Sequence, residues 1–154
     1  MKLAFCVYVR PLLEFSSQVW SPHYKYLIDK VESVQRFFTK RITGFTELSY
    51  TDRLRNLGLE TLERRRLAQD LALCYKILFG LCDVSVAVKV ADISACTRGN
   101  SLKLAKPSCS SDVRKYFFSN RIVDAWNSLS DVVVQSPSVK CFMKRLCSVN
   151  LDNF

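Results

Sequence analysis

The sequence predicts a mainly α protein, a helical bundle with one small β-hairpin in its C-terminal lobe. Three observations carry this. Only four Gly and four Pro punctuate 154 residues, a scarcity that helices tolerate and a turn-rich β-sandwich does not. Apolar side chains recur at spacings of three and four over most of the chain, the period of an amphipathic helix. Only "SLKLA" and "DVRKYF", on either side of the Pro/Ser-containing loop 106–111, read as a pair of short strands. With 49% apolar and 24% charged residues, the composition is that of a folding chain rather than a disordered one. A chain of this length typically buries roughly 68–70% of its unfolded surface.

Taken in order, Phe5, Tyr8, Leu12, Phe15 and Val19 line one helical face. Pro11 lies inside that run, so a kink or restart is expected there. Ser21-Pro22 ends the element. The start, "MKLAFCVYVRPLLEF", has a short apolar run ended by Arg10-Pro11 and no small-x-small cleavage site, so it reads as core helix and not as a signal peptide. Leu27, Val31, Val34, Phe38 and Ile42 form a second stripe, with Lys30, Arg36, Lys40 and Arg41 on the other face and Gly44 placed to stop the helix. "TDRLRNLG" reads as a short helix capped by Thr51 and closed by Gly58. "LETLERRRLAQDLALCYKILFG" is the clearest helix, with Thr61 as its cap, Leu67, Leu71, Cys74 and Leu78 on its inner face and Gly80 at its end. Arg66 and Asp70 stand four apart and can pair along it.

Residues 81–97 read as the connection between a helical lobe, 1–80, and a second lobe, 98–154. "VSVAVKV" alternates within it like a strand, but is short enough to be a loop or a helical turn instead. In the second lobe, "FFSNRIVDAWNSL" places Phe118, Ile122, Trp126 and Leu129 at helical spacing, which makes them packing residues. Ser119 could cap that helix, and Asn120, Arg121 and Asn127 fall beside or opposite its apolar face, suited to binding phosphate or to bracing the lobe. Ser136-Pro137 opens a last helix whose inner face carries Phe142 and Leu146.

Lys and Arg number 23 against 14 Asp and Glu, a net charge of +9. Such a field attracts phosphate polymers and anionic surfaces. No stretch reaches the roughly 18 apolar residues of a membrane span. Seven Cys without a CxxC pair, and a single His, rule out a Cys₂His₂ zinc site. The thiols point to a reducing, intracellular setting, cytoplasm or nucleus. No catalytic constellation is present. His23 has no nucleophile at a motif spacing, the acids are dispersed, and no glycine-rich phosphate loop occurs. A catalytic role, a bound metal, a cofactor and a small-molecule substrate are therefore not expected. Arg64-Arg65-Arg66 is the densest charge run; its side chains fan out at 100° steps, toward phosphate or toward acids of neighbouring helices.

The segments "YVRPLLEFSSQVWSP", "VESVQRFFTKRITG", "RLRNLGLETLERRRLAQDLALCYKILFG", "TRGNSLKL" and "FFSNRIVDAWNSL" follow the order found at the C-terminal end of reverse transcriptases from non-LTR (LINE-like) retrotransposons. The chain resembles the jockey and chicken-repeat types over about residues 8–147. The resemblance implies the end of a polymerase thumb plus a helical C-terminal extension. In that family, palm aspartates of a Tyr-x-Asp-Asp type motif hold two metal ions for RNA-templated DNA synthesis. That motif has no counterpart here, so the resemblance implies a detached, non-catalytic piece. A thumb grips the backbone of the template–primer duplex, and the matching basic positions are Arg36, Lys40, Arg41, Arg64, Arg65, Arg66, Arg98 and Arg121. The implied partners are RNA/DNA backbone and the palm of an intact reverse transcriptase, whose absence would leave apolar helix faces exposed. A relic without function is the remaining alternative.

Overall fold

A computed structural model describes residues 1–84, 88–91 and 99–151. The helices expected from the apolar spacing are present, and the chain divides into two compact units, Met1–Arg66 and Leu67–Phe154. In order they are α1 (Lys2–Ala4), a π-helical turn (Phe5–Val9), α2 (Arg10–Glu14), α3 (Ser17–Trp20), α4 (Lys25–Lys40), α5 (Tyr50–Leu57), α6 (Leu62–Leu78), α7 (Asp112–Lys115), α8 (Phe118–Ser128), α9 (Asp131–Val134) and α10 (Val139–Leu146). The boundary between the units falls inside α6.

Pro11 produces the expected restart. It lacks an N–H for a helical bond. The chain widens ahead of it into the π turn, where Arg10 N–H bonds to the Phe5 carbonyl, and α2 begins with the proline in its first turn. A second break follows that the spacing did not reveal. Phe15 is extended and Ser16 takes a left-handed conformation at φ 51°, uncommon for a residue other than glycine. The two breaks rotate the run, so its expected inner face splits. Phe5 is buried and stacks on Phe38 at 4.6 Å. Leu12, Phe15 and Val19 are 77%, 77% and 84% exposed, and Tyr8 is exposed with them.

The buried side of α4 also departs from expectation. Leu27, Val31, Phe38 and Ile42 are half-buried and Val34 is exposed. The fully buried positions are Glu32, Gln35 and Thr39. They are inside because partners reach them, as a buried polar group requires. Glu32 accepts the Tyr50 hydroxyl proton and, at 2.9 Å, the Leu62 N–H that opens α6. Gln35 donates to the Glu60 carbonyl at 2.9 Å and to Tyr50 Oη at 3.0 Å. Arg53 donates to Thr39 Oγ1 at 3.3 Å and to the Leu48 carbonyl at 2.8 Å. Burial, and then the bond to Glu32, push the Tyr50 phenol well above its ordinary range, so it stays a donor.

The helix ends follow capping chemistry. Thr61 caps α6 by accepting Arg64 N–H at 3.2 Å, as expected. Gly58 closes α5 in the left-handed region, φ 56°, with Leu59 N–H reaching the Leu54 carbonyl at 2.9 Å. Other caps shift by a residue or two. Ser49, rather than Thr51, accepts Asp52 N–H at 3.1 Å at the start of α5. Ser138, one residue past Pro137, accepts Cys141 N–H at 3.2 Å at the start of α10. Ser119 lies within α8, buried, after Phe117 at the cap position.

The expected hairpin is not formed: no strand is found among the described residues. "DVRK" is the helical turn α7, because Ser111 caps it by accepting Arg114 N–H at 3.4 Å and Asp112 sits in its first turn. The segment before it stays extended by another route. Leu104 forms one antiparallel bridge with Val90, flanked by Ala91 N–H to Lys103 O at 2.8 Å and Ala105 N–H to Lys89 O at 2.9 Å. On its other edge a single side chain replaces a strand. The Asn127 amide accepts Leu104 N–H at 2.8 Å and donates to the Leu104 carbonyl at 3.0 Å. Asn100 returns the arrangement, donating to the Trp126 and Leu129 carbonyls at 2.9 and 3.1 Å at the end of α8. Trp126 adds its indole N–H to the Leu102 carbonyl at 2.8 Å.

The core of this second unit gathers Leu71, Cys74 and Tyr75 of α6, Ile122, Val123 and Trp126 of α8, and Phe142 and Leu146 of α10. Tyr75, Phe142 and Trp126 stack in sequence, with centroids 4.7 and 5.9 Å apart. The apolar positions of "FFSNRIVDAWNSL" from Phe118 to Leu129 thus pack, and its Asn127 braces.

Candidate nucleic-acid interface

At 100° per residue, the positions of α4 opposite Glu32, Gln35 and Thr39 are Tyr26, Lys30, Ser33, Val34, Phe37, Lys40 and Arg41. They fall within an arc of roughly 120°, and all are exposed. The arc carries three cations and two aromatic rings and no acid. Asp29 stands at its edge and is engaged by Arg36 at 3.3 Å, while the Arg36 guanidinium also lies over the Tyr50 ring at 5.3 Å. Arg41 places its guanidinium over the Phe37 ring, 3.8 Å from the centroid, a cation–π contact. Lys40 and Arg41 sit at the helix C-terminus, where the helix dipole favours positive charge. The aromatic strip continues before the helix. His23 lies tilted against Tyr24 with ring centroids 4.0 Å apart, and Tyr24 stacks on Tyr26 at 5.8 Å.

Of the eight basic positions expected from sequence, three lie together on or beside this arc: Arg36, Lys40 and Arg41. The triple arginine run is not an open patch. Arg64 bonds at 3.1 Å to Glu60, which lies just ahead of α6. Arg65 holds Glu14 with two nitrogens, Nη2 to Oε2 at 3.0 Å and Nε to Oε1, and so ties α2 to the first turn of α6. Arg66 is buried. Arg121 donates from Nε to Asp70 Oδ2 at 2.8 Å and from Nη1 to the Tyr116 carbonyl at 3.3 Å. Arg98 lies outside the described residues. The sequence reading noted Lys30 on the outer face but missed Tyr26 and Phe37. Their spacing with Lys30 and Arg41, at i, i+4, i+11 and i+15, was the available signal.

Among the described residues, no group of three or more His, Cys, Asp or Glu side chains could hold a metal ion. Burial pushes the Cys74 thiol up to about 12, so it is protonated at neutral pH and packs as a small hydrophobe. No described helix is long and apolar enough to cross a membrane. A second surface stands out in the first unit: Leu3, Val7, Tyr8, Leu12, Phe15 and Val19 are all exposed on the N-terminal helices.

Fold and surface together define a mainly helical protein with a basic, aromatic-bearing outer helix face. No family model and no solved structure matches the chain. Over 77 residues it is 32% identical to the uncharacterized protein B0403.1 of Caenorhabditis elegans, a match that covers 48% of this chain and 39% of that protein.

Proposed function

We propose that the chain is the C-terminal portion of a non-LTR retrotransposon reverse transcriptase, without polymerase chemistry of its own, and that it binds the RNA or DNA backbone. The ordered segments described above motivate the family, and the acid-free basic arc of α4 carries the binding. Its cations are exposed and unopposed by acids within the arc, so phosphates can displace only water and counterions from them. Phosphate contact releases condensed counterions, and log K then falls linearly with log salt. Fluorescence anisotropy on an RNA–DNA hybrid between about 50 and 200 mM salt measures the slope. Lys40→Ala/Arg41→Ala flattens it by about 1.8 on duplex, from 0.9 per phosphate, and weakens all sequences alike. Arg65→Ala, which releases Glu14, lowers thermal stability and leaves the slope of the folded protein as it was. Binding that ignores salt, or no binding at the lowest salt, refutes the reading.

A second reading is favoured by the exposed face from Leu3 to Val19: an interaction module that docks on the palm of an intact reverse transcriptase. Large apolar side chains exposed together on one segment are a feature of interaction surfaces. In that case Leu12→Asp/Val19→Asp abolishes co-elution with a palm-containing polymerase and leaves the salt slope intact. Co-elution that survives both substitutions removes this reading.

A further inference from the structure

The outer arc of α4 alternates charge with flat apolar rings, and the two do different work. Lys30, Lys40 and Arg41 can each neutralise a phosphate. Phe37 is 57% exposed and Tyr26 68% exposed, about 16 Å apart along the helix at 1.5 Å per residue. A duplex offers such rings nothing, because its bases are already stacked on one another. A single strand offers them unstacked base faces, and aromatic platforms interleaved with cations are how sequence-tolerant single-strand binders hold their ligand. We propose that this face binds single-stranded RNA or DNA, with a base stacked at Phe37 and the adjoining phosphates on Lys30, Lys40 and Arg41.

Three observations support this choice of ligand. Arg41 already lies 3.8 Å over Phe37, so a planar cation and a ring present a preformed stacking pair, and both surfaces accept a base. The His23–Tyr24–Tyr26 strip extends the platform beyond the start of the helix. The arc has no acid, which suits a polyanion and disfavours an apolar protein groove, where three cations would be desolvated without partners. The proposal rests on the nucleic-acid reading above but goes further, because a backbone grip alone requires no ring.

The test is anisotropy of the full chain with a labelled oligo-uridine, and with a hairpin duplex of equal nucleotide count. Phe37→Ala weakens oligo-uridine binding roughly 5- to 150-fold, the range of one lost base–aromatic stack, and weakens duplex binding by a much smaller factor. Phe37→Trp restores binding. Phe37→Leu, apolar but not aromatic, behaves like the alanine variant. The side chain is exposed, so circular dichroism of each variant matches the parent. If the parent binds both ligands with a salt-dependent constant and Phe37→Ala alters neither, the stacking proposal falls while the backbone reading stands. If the parent binds neither at the lowest salt, both fall. Tighter binding to anionic phospholipid vesicles than to oligo-uridine, with Phe37→Leu still competent, identifies a lipid surface instead and also overturns the proposal.

Discussion

Trp126→Ala lowers the stability of the second unit by about 3–5 kcal/mol, the range for removing a fully buried aromatic. Trp126 has no solvent exposure and closes the stack that runs through Phe142 to Tyr75. Truncation opens a cavity that α6 and α10 can fill only in part, since each is also held elsewhere. Tyr75 donates its hydroxyl to the Ser136 carbonyl, and Arg145 of α10 donates to the Val132 carbonyl. The change also strips the Leu102 carbonyl of its indole donor, and an acceptor left unpaired in a half-buried place adds to the loss. Urea denaturation followed by circular dichroism measures the effect. An unchanged midpoint would contradict the packing assigned to this residue.

Arg121→Ala is expected to cost about 1.5–3 kcal/mol, the range for losing a hydrogen bond to a charged group, because it takes a guanidinium donor from the buried Asp70 carboxylate. The Asp70 side chain is 3% exposed and that of Arg121 17%, so water cannot take over the role of the guanidinium. The paired change Arg121→Ala/Asp70→Ala shows how much of that loss runs through their mutual bond. A double-mutant cycle on denaturation midpoints isolates the coupling. The same variants decide whether Arg121 touches nucleic acid. With its head group committed to Asp70, the salt slope of the folded protein stays as it is. Arg121→Ala with an unaltered midpoint and a flatter slope would reverse the assignment from bracing to binding.

The sequence revealed what local chemistry determines. Apolar spacing located the long helices, Thr61 and Gly58 marked helix ends, and Trp126 showed itself as packing by its phase with Ile122 and Leu129. What it concealed depends on distant partners. Glu32, Gln35 and Thr39 look like surface residues until Tyr50, Arg53, Glu60 and Leu62 arrive from farther along the chain. The hairpin was misread because "DVRKYF" alternates over a few residues while Ser111 offers an N-cap to the same stretch, and the cap prevailed. The arginine run drew attention by density. Which arginine faces solvent depends on Glu14 and Glu60, of which Glu14 lies 51 residues from Arg65. The exposed aromatics of α4 were hidden for the opposite reason: an aromatic at helical spacing reads as core.

The polar interior beneath α4 sets the helix's rotational phase. Packed methylenes tolerate small rolls and slides, because one apolar contact replaces another at little cost. Hydrogen bonds do not, since each weakens steeply with misalignment. Turning α4 by a single residue, 100°, would carry the Glu32 carboxylate away from both Tyr50 and Leu62 and leave it desolvated without its donors, the costliest error a buried group can make. The network therefore acts as a spline on a shaft. Whatever it contributes to stability, it permits one angular setting, and that setting aims Tyr26, Lys30, Phe37 and Arg41 outward in a common direction.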